Sequence, residues 1–283
     1  MRNQEINIRD PFVLTENGQY YLCGTRGKSF GQWTGGFDVY KGTDLEHWSD
    51  PIPVFDSAHY GLNRSCNWAP ELHKYNGRYY IFATFEQENG NRGTWSLVGD
   101  SPEGPFAPNS DGPLTPEEWF SLDGTLWVED GVPYLVFCHE HVQILNGTVC
   151  YMPLPPDLKK AAGEPTLLFY GKEAYGVPEN PEGRYVTDGP FLYRGKNDRL
   201  YMIWSTCPPT GYYQGLCVSE SGSVKGPWTQ LPPLYTKDGG HGMLFRDRNG
   251  GLRLTLHSPN ASEQEHPVFF RVEDNGERMD ISG

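Results

Sequence analysis

The 283-residue chain contains no run of about 18 consecutive apolar residues, so no membrane-spanning helix and no membrane partner are expected. It has no basic excess. The formal net charge of −13 argues against a nucleic-acid partner, because binding to a phosphate backbone rests on a basic surface. No block of like charge is long enough to act as an interaction tail. The six cysteines show neither a CxxC nor a Cys/His zinc spacing. Cys23, Cys138, Cys150 and Cys217 sit in apolar, strand-like runs and read as buried free thiols. The opening residues Met1-Arg-Asn-Gln-Glu-Ile-Asn-Ile lack an apolar signal core, so a cytoplasmic location is expected. Helical periodicity is scarce as well. A turn or two near residues 116–120 and 158–162 is all that the pattern offers.

What the chain does have is turn residues, aromatics and a repeat. Its 34 Gly and 24 Pro fit many tight turns, and 14% aromatic content excludes a disordered chain. One phrase returns five times. A small polar residue opens it, an apolar run follows, then a turn, then an aromatic-rich strand. The copies begin Asp10-Pro-Phe-Val-Leu, Ala69-Pro-Glu-Leu-His, Asp123-Gly-Thr-Leu-Trp, Asp188-Gly-Pro-Phe-Leu and His241-Gly-Met-Leu-Phe. Their first residues fall 59, 54, 65 and 53 positions apart. A further strand signal follows each copy, as in Gly36-Phe-Asp-Val-Tyr and Gly93-Thr-Trp-Ser-Leu. Hairpins repeating at this length signal a radial array of blades. The expectation is one all-β domain over residues 1–283, a five-bladed propeller of four-stranded antiparallel blades around a central channel.

In such an array equivalent positions point at one axis. The opening position carries Asp10, Ala69, Asp123, Asp188 and His241, so three carboxylates and an imidazole are expected to meet. Asp before Pro or Gly also has a structural reading, as an ordinary turn residue. Ala69 and His241 show that the repeat itself needs no acid there. Carboxylates that converge repel one another and so need a reason to be together.

Taken in order, Arg9-Asp10-Pro11, Trp68-Ala69-Pro70-Glu71, Leu122-Asp123-Gly124, Thr187-Asp188-Gly189-Pro190 and Gly240-His241-Gly242 resemble the motif series of glycoside hydrolase family 43. The resemblance runs from about residue 7 to residue 272. It implies a five-bladed propeller acting on arabinosides, xylosides or galactans. It further implies Asp10 as the general base, Asp188 as the general acid and Asp123 as the group that tunes and orients that acid. His241 is implied to face the channel, beside a calcium held through water. One departure stands out. The family usually has Glu at the position of Asp188, and the shorter side chain withdraws the carboxyl by roughly 1.5 Å. Glu182, six residues upstream, is the alternative acid.

Inverting glycoside hydrolysis needs one protonated and one ionised carboxyl, the acid being raised by its acidic neighbours. Asp123 is expected to raise Asp188, while Arg9 or Arg64 keeps Asp10 ionised. Trp68, at the channel mouth, and Trp33, in the Gly-rich loop 27–36, are candidates to stack on sugar rings. His139 is read as a hydrogen-bonding group for substrate or channel. Glu71 is read as a buried structural partner. The resulting expectation is an inverting hydrolase releasing arabinofuranosyl or xylosyl units from small oligosaccharides. The alternatives are a non-catalytic carbohydrate-binding propeller, a relative acting on β-galactosides, and a scaffold for protein partners.

Overall fold

The structure, a computed structural model, describes residues 1–27, 35–62 and 64–282. Its strands form five four-stranded antiparallel sheets, each built from four consecutive strands. Blade one holds β1 (Ile8–Glu16), β2 (Gln19–Arg26), β3 (Gly36–Gly42) and β4 (Ile52–Asp56). Blade two holds β5 (Asn67–Tyr75), β6 (Arg78–Glu86), β7 (Arg92–Gly99) and β8 (Ala107–Pro108). Blade three holds β9 (Ser121–Glu129), β10 (Val132–His139), β11 (Thr148–Pro153) and β12 (Thr166–Tyr170). Blade four holds β13 (Asp188–Arg194), β14 (Leu200–Thr206), β15 (Tyr213–Ser219) and β16 (Trp228–Tyr235). Blade five holds β17 (Gly240–Arg246), β18 (Leu252–Ser258), β19 (His266–Asp274) and β20 (Met279–Ile281). The first strands of neighbouring blades touch around the ring, so the repeated phrase is the innermost strand, as its pattern predicts.

Local chemistry sets the hairpins. Blades one to three turn from first to second strand on Asn17-Gly18, Asn76-Gly77 and Asp130-Gly131, with both residues of each pair at positive φ. Asn, Asp and Gly tolerate that conformation, and it matches the twist of the flanking strands. The segments 116–120 and 158–162 form turns, not helices. Among the described residues the α-helical turn is α1 (His141–Ile144), between β10 and β11.

The core lies between blades. Phe37 and Phe55 of blade one pack on Phe85 of blade two with ring centroids 5.7 and 5.8 Å apart, and all three are buried. Burial of each such ring is worth about 1.5–3 kcal/mol. The first and last blades meet through Tyr20 on Phe245, at 6.3 Å, and Trp48 on Phe269, at 5.9 Å. The Arg9–Glu265 ion pair, at 2.8 Å, with Glu265 buried and Arg9 partly so, crosses the same seam. Asn7 Nδ2 donates to the Glu265 carbonyl there, also at 2.8 Å.

A β-bulge near the start of every innermost strand places the site. In blade one, Arg9 pairs with Thr25 but the next pair is Phe12 with Cys23. The same slip separates Trp68 from Glu71, Leu122 from Thr125, Asp188 from Phe191 and Gly240 from Met243. The first bulged residue has positive φ in all five blades: Asp10 (53°), Ala69 (47°), Asp123 (58°), Gly189 (47°) and His241 (48°). For a residue other than Gly this costs of order 1–3 kcal/mol and must be held by its surroundings.

Hydrogen bonds between blades do that holding. The Ala69 N–H donates to Thr25 Oγ1 (2.6 Å), Asp123 N–H to Thr84 Oγ1 (3.0 Å), His241 N–H to Ser205 Oγ (2.7 Å) and Asp10 N–H to His257 Nδ1 (3.2 Å). Each acceptor stands in its own blade's second strand, opposite the residue before that blade's bulge. Cys138 occupies this place in blade three, and the Gly189 N–H goes to Asp123 Oδ2 instead (3.1 Å). The second bulged residue is Pro11, Pro70 or Pro190, which has no N–H to satisfy. In the other two blades it is Gly124 or Gly242, whose N–H donates to Thr94 Oγ1 (3.1 Å) or Gln214 Oε1 (2.7 Å). No bulge N–H is therefore left buried without a partner.

Candidate active site

This bulge register corrects the alignment of the five phrases. Asp10, Ala69, Asp123 and His241 are equivalent, but their counterpart in blade four is Gly189. Asp188 sits one residue earlier, in the ring of Arg9, Trp68, Leu122 and Gly240. It nevertheless reaches the same centre. Gly189 makes this possible: a Cβ there would stand 2.5 Å from the His241 ring, so the imidazole packs on bare backbone.

His241 is the hub. Its Nδ1 lies 3.1 Å from Asp10 Oδ1, 3.7 Å from Asp123 Oδ2 and 3.7 Å from Asp188 Oδ1. A nitrogen facing three carboxylate oxygens carries its proton, and the shortest contact gives that proton to Asp10. No two of these oxygens are farther apart than twice the longest of the three distances. The predicted convergence of three acids and one imidazole is therefore present. Asp10 is fixed further by the Thr25 hydroxyl, which donates to Oδ2 at 2.7 Å. Behind it, His257 is fully buried and accepts the Asp10 N–H at Nδ1, which leaves its proton on Nε2, 3.3 Å from Asn260 Oδ1. Burial and the nearby Arg9 charge push His257 down to about 3, so it is neutral. Burial opposes the Arg9 charge, but Asp10 and the bond to Glu265 outweigh it and hold Arg9 above its usual value.

Asp123 and Asp188 both face His241 Nδ1, and each shifts the other's affinity for a proton. The expected direction is reversed. Burial, then the Asp188 and Asp10 charges, raise Asp123 well above the usual carboxylate range, and the Gly189 N–H offsets this only in part. Burial would raise Asp188 too. The bond from Asp123, the nearby His241, the Tyr212 hydroxyl and Arg9 outweigh it and leave Asp188 lowered. Tyr212 donates to Asp188 Oδ2 at 2.5 Å and stacks on His257 at 5.5 Å between centroids. One buried pair of rings thus stands behind both Asp10 and Asp188. Asp188 keeps 24% side-chain exposure, whereas Asp123 keeps 4%.

These groups line a cavity of about 270 Å³ together with Trp68, Arg92, Glu140 and His141. Ligand pockets commonly run from about 300 to 1,000 Å³, so this one suits a small ligand. Beneath it the channel is blocked. Phe12 of blade one meets Phe191 of blade four across the ring at 5.9 Å, and His73 packs on Phe12 at 4.8 Å. Glu71 bonds His73 Nε2 at 2.8 Å, the structural role predicted for it.

The other predicted site residues divide. Trp68 lines the cavity, with the Arg92 guanidinium 5.1 Å over its ring, and Arg92 is paired to Glu140 at 3.1 Å. His139 does not line it. It stacks on Trp119 at 4.1 Å and bonds Gln143 at 2.6 Å, so its role is packing; His141, two residues on, is the one that faces the cavity. Arg64 also lies outside, near Glu88 at 3.7 Å, in a separate depression. Trp33 lies outside the described residues. Glu182 lines a neighbouring cavity rather than this one. Sequence reasoning missed Tyr212 and His257. The signal for His257 was its place opposite Gly240, where Thr25, Thr84 and Ser205 stand in other blades.

Asp123, Asp188 and His241 could offer a metal one atom each, all within 4.8 Å of one another. They do not fit calcium. That ion takes six to eight oxygens, and here one of three donors is nitrogen while the carboxylates are engaged with each other, Tyr212 and Gly189. A calcium near His241 would have to be carried by water.

The chain matches the family model described as Glycosyl hydrolases family 43 over residues 5–271. It is similar to the solved structure of an endo-arabinase from Bacteroides thetaiotaomicron, with 36% identity, 98% of each chain covered and a TM-score of 0.88. An endo-1,4-beta-xylanase from the same organism shares the fold at 23% identity, with 98% of this chain and 95% of that one covered and a TM-score of 0.80. A curated extracellular exo-alpha-(1->5)-L-arabinofuranosidase of Streptomyces chartreusis is 27% identical over 182 residues, 60% of this chain. The match covers 53% of that protein, so the chain spans about half the length of the curated relative.

Proposed function

The chain belongs to glycosyl hydrolases family 43, and from that premise we propose that it is an inverting glycosidase cleaving arabinosyl linkages in short oligosaccharides. The observation that carries the reading is the set of three carboxylates around one imidazole; burial and mutual repulsion push Asp123 up while Asp188 is held low, which separates the two in their affinity for a proton. Asp10, bonded by His241 and Thr25, acts as the base that draws a proton from water. Asp188, the more exposed of the two, acts as the acid. Its proton comes across the hydrogen bond from Asp123 as the leaving oxygen docks, and Asp123 thereby orients and reloads it. The arabinosyl preference is supported by the names of the endo-arabinase and the arabinofuranosidase to which the chain is similar. Xylosides are the second class to test. A small cavity above a blocked channel supports short substrates.

A panel of aryl arabinofuranosides, xylosides and galactosides, followed by NMR at the anomeric carbon, tests this. The first-formed sugar is expected with inverted configuration. Retention would remove Asp10 from the role of base, and turnover of xylosides or galactosides alone would overturn the arabinosyl reading. The same assay with a chelator tests the water-held calcium proposed near His241: activity lost and restored by calcium supports it.

Tyr212 is a positioning residue in this scheme. Its hydroxyl helps to hold Asp188 low, so Tyr212→Phe should raise the Asp188 pKa and move the alkaline limb of the pH–rate profile upward. Loss of a bond to a charged group, worth about 1.5–3 kcal/mol, should lower kcat about tenfold or more. An alkaline limb that stays in place would show that the hydroxyl does not govern the acid.

A further inference from the structure

A second cavity, of about 350 Å³, opens beside the first. Its walls are residues 177–186, which lead into β13, and 206–209, which leave β14. In each blade the strands are sequential and antiparallel, so the start of the innermost strand and the loops after even-numbered strands share one face. Both cavities therefore open on the active face. Val186 and Cys207 line both. Val186 stands two residues before Asp188, whereas Asp10 stands on blade one, which is not a neighbour of blade four. The second cavity thus adjoins the central pocket on the side of the acid.

An acid protonates the leaving oxygen, so the leaving group departs on the acid's side and away from the base. Resting on the reading of Asp10 and Asp188 given above, we infer that the second cavity is the leaving-group subsite, and that the enzyme acts on chains whose leaving group is an oligosaccharide of two or more sugar units. The wall chemistry fits a hydroxyl-rich chain. Glu179 and Glu182 supply carboxylates that accept from hydroxyls. Arg184 is exposed, and no carboxylate of the described residues pairs with it, so its donors face solvent and ligand. Tyr185 accepts the Asn180 N–H at 2.6 Å, which leaves its own proton to donate. Pro178, Pro181, Pro208 and Pro209 stiffen the rim, so a bound chain has less loop to order. The two cavities are of comparable size, so the second has room for sugar beyond the unit held in the first.

The test is the dependence of kcat/KM on chain length, measured with the α-1,5-linked arabino-oligosaccharides from two to four units. If the aryl panel selects xylosides, the β-1,4-linked xylo-oligosaccharides take their place, so an error in the sugar does not hide the result. Wild type should rise about tenfold from two units to three, the gain expected from one or two new hydrogen bonds to charged groups. In Arg184→Ala and in Glu179→Ala, each checked for an unchanged melting temperature, the rise should shrink to about threefold or less. Both sites are exposed, so folding should survive. A flat wild-type profile, with the disaccharide still cleaved, would overturn the subsite and leave the glycosidase reading intact. A rise that persists in both variants would overturn it as well. Failure on every glycoside of the panel would instead overturn the catalytic reading on which the subsite rests.

Discussion

Asp10→Asn is expected to lower kcat by about 10²-fold or more, the usual cost of losing a general base. The fold should survive. Asn keeps the shape of Asp and an oxygen to accept from His241 Nδ1, and its amide can donate to Thr25 Oγ1. That hydroxyl oxygen already accepts the Ala69 N–H at 2.6 Å and can rotate its own proton elsewhere. The positive φ at position 10 is also tolerated by Asn. Substrate binding should change little, because the lost group acts on water rather than on sugar. Calorimetry with an unhydrolysed oligosaccharide and kcat on an aryl arabinofuranoside would separate the two effects. A variant that retains more than about a tenth of the wild-type rate would remove Asp10 from the mechanism.

The second large effect should come from Asp188→Asn, and it should depend on the leaving group. Protonation assists a basic alkoxide and adds little for an acidic phenol. The variant should therefore be slower by about 10²-fold or more on an arabinodisaccharide and retain much of its rate on a dinitrophenyl glycoside. The alkaline limb of the pH profile should vanish on the good leaving group. In wild type that limb is expected to report loss of the acid's proton, an event that belongs to the interacting pair of Asp123 and Asp188. Asp188→Glu should fold, since the added methylene enters the pocket and not packed core. Equal losses on good and poor leaving groups would show that Asp188 positions substrate and that the acid lies elsewhere, with Glu182 next in line.

The sequence made the blades readable because each needs the same turn and the same innermost strand. Asn17-Gly18 and Asn76-Gly77 mark hairpins for the same backbone reason. The gathering of Asp10, Asp123 and His241 followed from equivalence alone. Asp188 was harder. Asp123-Gly124 and Asp188-Gly189 look alike as dipeptides, yet only in the first is Asp the bulged residue. Pro190 was the available clue, because Pro11 and Pro70 fill the second bulge position and so align Gly189, not Asp188, with Asp10 and Ala69. His139 and His141 differ in sequence by two positions, but His139 ends strand β10 while His141 begins the helical turn, so one lies against Trp119 and the other faces the cavity. Tyr212 lies in a loop, where no repeat predicts direction. The raising of Asp123 and the lowering of Asp188 follow from unequal numbers of donors around them, a property of packing that no motif encodes.

Each sheet is made of consecutive strands, and among the described residues the first blade is joined to the last through side-chain contacts and not through a shared sheet. Asp10 is mounted on that join, and its backbone is held from across it by His257. Warming that loosens the join would carry the base away from its three companions while every sheet still gives its full far-ultraviolet signal. Turnover should in this sense gauge ring closure, and on warming it is expected to fall before the far-ultraviolet signal does.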